Sequence, residues 1–365
     1  MKKKENILMV CNTVYQIMVA VQLRHAFFQK ENVHIIISDH MNNSSTIVEN
    51  VRKSNFFNEV IHIKNKKQRI KQGCKFYSLK HLFYKIKETI NNLKIIKRQI
   101  NTKSYYTHLC VSNISIFTIL LRHTLSKKNK IHLSIFEDGF ATYCNSFKKS
   151  DKASLIHRML NKRGMLGAAE QLFLFNPYLL EWDFEGQIIQ IPKFSNKNNE
   201  VKSILNQIFK FENIKDDYSK IKYLFLEESF FADGFNVNDV EIVQNLVQQV
   251  NVNDILVKLH PRNAVNRFTS LGIKTNVNFE IPWELIILNQ DISKITLITI
   301  SSSSALTPFL IFDLPVKSIS LLKMLSQKPG NMNGELGVFM QKIYNTYPDI
   351  FLSPENEADF FELLK

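Results

Sequence analysis

Apolar residues in this 365-residue chain come in short runs, each followed by a stretch long enough for one helix and then by another short run. Ile7-Leu8-Met9-Val10-Cys11 is the first of these, bounded by polar residues as a buried strand is. Asn12 and Thr13 then offer a helix N-cap, and Val14, Ile17, Met18, Val21 and Phe28 recur near helical spacing. Residues 33–37 form a second strand. Strand, helix, strand is the unit from which parallel sheets are built.

The rhythm predicts further strands at 107–111 and 131–136 with a helix at 116–125 between them, and weaker strands at 172–175 and 188–191. A lysine- and asparagine-rich stretch at 193–202 then reads as lying near a domain junction. The pattern restarts after it, with strands at 223–226, 255–258, 295–300 and 316–319 and helices at 237–250, 282–289 and 303–312. No repeat of solenoid period is present. Two successive α/β halves, 1–185 and 186–365, imply two Rossmann-like domains facing a central cleft.

Composition narrows the function classes. With 45% hydrophobic and 22% charged residues the chain is not disordered, and 10 Gly and 9 Pro exclude collagen-like or low-complexity sequence. A net charge of +14 calls for an anionic partner: a nucleotide, a nucleic acid or an acidic membrane. The charge is concentrated between residues 64 and 103, where Glu88 is the one acid. There Leu79, Leu82, Phe83, Ile86, Ile90, Leu93 and Ile100 form one helical face, with Lys80, Lys87, Lys94 and Arg98 largely off it. Such a helix either packs on a sheet or lies on an anionic membrane. The segment carries no recognised nucleic-acid motif, so nucleic acid is not the expected partner.

The four cysteines, Cys11, Cys74, Cys110 and Cys144, form no C-x-x-C pair, and reduced thiols are expected. Residues 111–121, the most apolar stretch, fall well short of the roughly 20 that a spanning helix needs. Met1-Lys2-Lys3-Lys4 resembles the start of a signal peptide, but Asn12, Thr13 and Gln16 break the apolar run behind it. A cytoplasmic protein is expected, with peripheral contact at the inner face of the membrane through residues 64–103. Phe and Tyr enrichment allows a homodimer and is more simply core.

Three clusters stand at strand ends, where α/β proteins place ligands. In Glu137-Asp138-Gly139 two carboxylates precede a glycine that permits a turn; a carboxylate here suits a general base, and an ordinary acidic turn is the plain alternative. In Lys258-Leu259-His260-Pro261-Arg262, Pro261 holds His260 extended and two cations bracket the imidazole. Imidazolium and guanidinium groups donate to phosphate oxygens, although a structural histidine at a strand exit reads equally well. In Ser301-Ser302-Ser303-Ser304, hydroxyls and backbone amides at a helix start make either an anion cradle or a simple cap. Gly-x-Gly-x-x-Gly, Gly-Lys-Ser/Thr and Asp-x-Asp are all missing. A metal-independent reaction on a monophosphate-linked donor, with no cofactor, fits that pattern.

In order and spacing, Glu137-Asp138-Gly139, His260-Pro261 and Ser301-Ser302 resemble the marks of the bacterial sialyltransferases. The likeness is to glycosyltransferase family 52, the lipooligosaccharide sialyltransferases, whose opening also resembles Val10-Cys11-Asn12-Thr13-Val14-Tyr15-Gln16. The resemblance implies a GT-B fold and an inverting, metal-independent transfer. Sialic acid would pass from CMP-sialic acid to a galactose-type hydroxyl of a lipooligosaccharide or capsule oligosaccharide. It implies His260 as donor to the departing phosphate, with Lys258, Pro261, Arg262, Ser301, Ser302, Ser303 and Ser304 on the donor side. Asp138 ranks first as base, beside Glu137, with Glu228 and Asp233, which follow the strand at 223–226, behind it. Glu137 stands where many relatives carry Asp, and the membrane anchor of some bacterial sialyltransferases is absent. Two other readings stay open: a related transferase using a UDP-hexose, and a non-catalytic polyanion- or membrane-binding protein.

Overall fold

The computed structural model describes residues 5–41, 43–65, 79–100, 106–127, 129–152, 164–235, 237–263, 265–278, 280–325 and 334–364. Cys74 and residues 66–78 and 101–103 of the basic segment lie outside the described residues. The chain divides into two compact units, Met1–Pro192 with Ser203–Phe209, and Lys193–Lys202 with Lys210–Lys365.

The first unit is built on seven strands: β1 (Asn6–Cys11), β2 (Asn32–Ser38), β3 (Glu59–Ile63), β4 (His108–Val111), β5 (His132–Phe136), β6 (Gln171–Leu174) and β7 (Gln187–Gln190). All pair parallel, in the order β3-β2-β1-β4-β5-β6-β7. β7 belongs to this sheet, so the unit runs on to Pro192. Parallel strands need helices on both faces of the sheet, which is why β1 reads as an unbroken apolar run, Ile7 to Cys11 being buried throughout. The helix Val14–Phe27 starts where expected: the Thr13 hydroxyl accepts the Gln16 N–H at 3.2 Å. β3 has no counterpart in the sequence reading, because His62 interrupts its short apolar run.

The second unit carries β8 (Tyr223–Leu226), β9 (Ile255–Lys258), β10 (Thr296–Thr299), β11 (Ser318–Ser320) and β12 (Phe351–Leu352), parallel in the order β12-β11-β10-β8-β9. Phe225, Val257, Phe268 and Ile298, all essentially without exposure, fill one side of this sheet with the helix Asp239–Gln249. Each such side chain contributes about 1.5–3 kcal/mol of burial. Both sheets reverse their strand order once, between β1 and β4 and between β8 and β10. At such a point the connecting helices leave on opposite faces, and the carboxyl ends of the strands open a crevice.

Two expected helices differ. In the helix Leu79–Gln99, Asn92, Ile95 and Ile96 turn inward, with Ile100 just beyond, while Ile86 and Ile90 are about half exposed. The stripe holding Ile86 and Ile90 is thus separate from the one that packs. The helix expected at 303–312 is a 3-10 turn at Ser303–Ala305 followed by a short helix at Thr307–Phe312. Pro308 has no N–H for the Ser304 carbonyl, which instead receives the Trp283 indole N–H at 3.0 Å.

Among the described residues no helix is long and apolar enough to cross a membrane. Cys11, Cys110 and Cys144 are buried free thiols.

Candidate functional site

In the first unit the acidic pair leaves the carboxyl end of β5. Glu137 has no exposure and is saturated by donors: Tyr15 Oη at 2.8 Å, the Phe175 N–H at 3.0 Å, and Tyr143 Oη. Burial raises its pKa, opposed by those three hydrogen bonds. An enclosed carboxylate with its lone pairs occupied cannot reach a substrate. Glu137 instead ties the helix Val14–Phe27 and the end of β6 to the end of β5.

Asp138, the next residue, points the other way and is partly exposed. Its Oδ1 accepts Gln16 Nε2 at 2.5 Å, and its N–H donates to Thr142 Oγ1 at 2.8 Å. Gln16 is fully buried, and its Oε1 accepts the Asn12 N–H at 2.5 Å, so one amide spans from the end of β1 to Asp138. The carboxyl pKa is raised by burial, against the Gln16 hydrogen bond. Gly139 has φ +72 and ψ −170, a backbone open essentially to glycine alone, and this sharp turn parts the pair from the 3-10 turn Phe140–Tyr143. The opening motif and the acidic motif, 122 positions apart, therefore meet through Tyr15 and Gln16.

In the second unit the carboxyl ends of β9, β8 and β10 lie side by side and carry Lys258 to Arg262, Glu227-Glu228 and Ser301-Ser302. The turn holding His260 is fastened at nearly every residue. Leu259 N–H donates to Asn276 Oδ1 at 2.7 Å and His260 N–H to Glu227 Oε2 at 2.8 Å. Asn263 N–H donates to the His260 carbonyl at 2.9 Å. The Asn263 side chain accepts from the Ala232 N–H and donates to the Glu228 carbonyl. His260 Nδ1 accepts the Arg262 N–H at 3.2 Å, which leaves the proton of a neutral ring on Nε2. Burial, then the Arg262 and Lys258 cations, lowers the His260 pKa to about 4, so the ring is neutral near pH 7 rather than the imidazolium expected from sequence. Arg262 is paired with Asp233 and reaches Ser229 Oγ. Asp233 also accepts from Ser229 Oγ at 2.8 Å. Lys258 is buried beneath the turn and its pKa is lowered by burial, against the nearby Glu284 and Asp216.

The serine row is arranged differently from a plain anion cradle. The Ser301 N–H and Oγ both donate to Glu228, the hydroxyl at 2.8 Å, and Thr299 Oγ1 donates to it at 3.0 Å. The Ser302 N–H donates to Thr299 Oγ1 and Ser302 Oγ accepts from the Ser304 N–H. Donors predicted to face phosphate are thus spent on Glu228 at Ser301, whereas the Ser302 hydroxyl donates to no group among the described residues. Ser303 and Ser304 lie in the short turn. Burial raises the Glu228 pKa to about 7, against the hydrogen bonds from Ser301 and Thr299.

Sequence reasoning missed Glu227, Asn263, Arg267 and Asn276, all of which hold the His260 turn or its supports. The one available signal was the second acidic pair, Glu227-Glu228, at the end of a strand. Among the described residues no group of three or more His, Cys, Asp or Glu is placed to hold a metal ion.

Residues 7–322 match the model of the Alpha-2,8-polysialyltransferase family (POLYST). No curated protein matches the chain significantly. Among solved structures it is similar to the glycotransferase of kitacinnamycin, with 7% identity, TM-score 0.54, and 99% of this chain and 90% of that one covered. It is similar to TcCGT1 in complex with UDP at 10% identity and TM-score 0.53, with the same coverage. It also resembles a UDP-glucosyltransferase from Polygonum tinctorium at 8% identity and TM-score 0.54, covering 100% of this chain and 90% of that one. At these identities the likeness is one of fold, and the fold is GT-B.

Proposed function

The chain belongs to the alpha-2,8-polysialyltransferase family and is a glycosyltransferase, and on that footing we propose that it moves sialic acid from CMP-sialic acid to a hydroxyl of a bacterial surface glycan. The observation that carries this reading is the fixed tautomer of His260. With Nδ1 occupied by the Arg262 amide, Nε2–H is a donor at the carboxyl edge of the second sheet, where a nucleotide phosphate binds in parallel α/β folds. A departing CMP carries its new charge on phosphate oxygens, so a positioned neutral donor stabilises it without a full proton transfer. The Ser302 hydroxyl, which accepts the Ser304 N–H and has its own proton left to donate, adds to that field.

In this reading the acceptor hydroxyl loses its proton to Asp138. Its second oxygen makes no hydrogen bond among the described residues, while Gln16 orients the first. Attack opposite the leaving phosphate inverts the anomeric centre through an oxocarbenium-like transition state. Glu228 stands behind Asp138 as base, because its lone pairs are taken by Ser301 and Thr299. Glu137 and Asp233 are committed to scaffold contacts. No residue is assigned to a metal.

Two acceptors fit. The motifs favour a galactose-type hydroxyl of a lipooligosaccharide or capsule, and the family's linkage favours the 8-hydroxyl of a terminal sialic acid. The net charge of +14 suits the second, a polyanion. The narrower likeness to glycosyltransferase family 52 rests on the motifs alone. Exposed Ile86 and Ile90, on a helix bearing Lys87, Lys94, Lys97 and Arg98, support peripheral contact with an anionic membrane.

The test is incubation with CMP-sialic acid and either a galactose-terminated or a sialic acid-terminated oligosaccharide, in the presence of a chelator, with mass spectrometry of the products. A single added sialic acid or a growing series is expected. Parallel donor-hydrolysis assays with UDP-hexoses give the contrary outcome: turnover of those and not of CMP-sialic acid sinks the reading.

A further inference from the structure

Glu227 has no part in the reaction described above, yet it is among the most elaborately supported groups in the second unit. Its side chain is fully enclosed, and both oxygens are used. One accepts the His260 backbone N–H at 2.8 Å, and the other accepts Arg267 Nη2 at 2.9 Å. Arg267 is gripped in turn by both oxygens of Asp239, which is buried at the start of the helix Asp239–Gln249. Its guanidinium lies over the rings of Phe231 at 4.8 Å and Phe268 at 5.5 Å, which hold the plane in place.

A carboxylate withdrawn from water is costly unless it is paired and its lone pairs are satisfied. Here both conditions are met. The structure thus spends a buried ion triad on one backbone amide, that of the residue carrying the imidazole. Pro261 has no N–H and confines His260 to extended backbone, so past that point the sheet cannot continue to hold the turn. Glu227 supplies an acceptor in place of the next strand carbonyl.

We infer that Glu227, backed by Arg267 and Asp239, is a positioning residue that sets where the His260 imidazole stands. The inference rests on the reading of His260 as the donor to the leaving phosphate. Placement within a fraction of an ångström decides how much a preorganised donor contributes, and Glu227 acts on that placement through the His260 N–H.

Glu227→Gln is the direct test. In either orientation its amide presents one NH2 group to a donor, the His260 N–H or Arg267, so one contact is lost. The expected result is a fall in kcat of about tenfold, with the KM for acceptor unchanged and circular dichroism intact. In a double-mutant cycle with His260→Ala, the double variant should match His260→Ala within about twofold, since a group acting through the imidazole has nothing left to position. A multiplicative loss overturns the inference and leaves the site reading standing. A His260→Ala variant with wild-type kcat overturns the site reading itself. Asp239→Asn loosens Arg267 while leaving Glu227 in place, and covers the case in which Glu227→Gln does not fold. It should show a smaller fall in kcat, also absorbed in the His260→Ala background, and an additive fall counts against the inference.

Discussion

The Nδ1 atom of His260 accepts the backbone N–H of Arg262 at 3.2 Å, and this contact decides what the imidazole can do. It holds the ring in one tautomer, with the proton of the neutral imidazole on Nε2. His260→Ala is expected to lower kcat by about a hundredfold, the scale of losing one positioned donor. Steady-state kinetics with CMP-sialic acid measures this, with circular dichroism to establish folding. Unchanged kcat removes His260 from the chemistry.

The depressed pKa of His260 has its own consequence. Between about 4 and the ordinary 6.5 the unfolded chain binds a proton here that the folded chain does not. This group therefore makes stability rise with pH across that window. A His260→Gln variant should show a shallower rise in Tm from pH 4 to pH 6.5, and an identical slope contradicts the assignment.

Glu228 works with the opposite sign. Its carboxyl holds a proton up to about pH 7 in the folded chain, against an ordinary 4.5, so its contribution to stability falls as pH rises between those values. Thermal melts of Glu228→Gln and the parent chain should diverge in favour of the variant as pH climbs from 4.5 to 7. Parallel curves would place the carboxyl in its usual range.

Asp138→Asn keeps the Gln16 contact available through an amide oxygen and removes the proton acceptor. A fall in kcat of at least about a hundredfold is expected, within the range of general-base catalysis. Wild-type turnover would pass the role to Glu228.

Gly139→Ala meets no neighbouring atom, because the space around an added Cβ is open within 4 Å. Its cost is purely conformational, about 1–3 kcal/mol at this backbone geometry, and Tm should fall accordingly. Activity should fall more than stability, since the turn also aims Asp138.

The two acidic pairs share one construction that the sequence conceals. In each, the first carboxylate is enclosed and accepts a backbone amide from the neighbouring strand's exit: Phe175 for Glu137, His260 for Glu227. In each, the second carboxylate is partly exposed. Successive side chains after a strand point to opposite sides, so a pair of acids there divides into one enclosed group and one partly exposed group. Asp138 and Glu228 were legible as candidates. That Glu137 is scaffold was not, because its partners Tyr15 and Tyr143 come from a helix near the amino end and a 3-10 turn.

What the residue order alone determined was the architecture. Unbroken apolar runs such as Ile7 to Cys11 and Ile255 to Val257 require strands covered on both faces, and helix-length spacers between them require parallel crossovers. The positions of Asp138, His260 and Ser301 at strand ends follow from the same local pattern. Tertiary structure decided their chemistry. The protonation of His260, the diversion of Ser301 onto Glu228 and the support from Glu227, Arg267 and Asn276 all depend on desolvation and on donors brought from distant segments. Burial and long-range hydrogen bonding are properties of the packed chain, and no local run of residues specifies them.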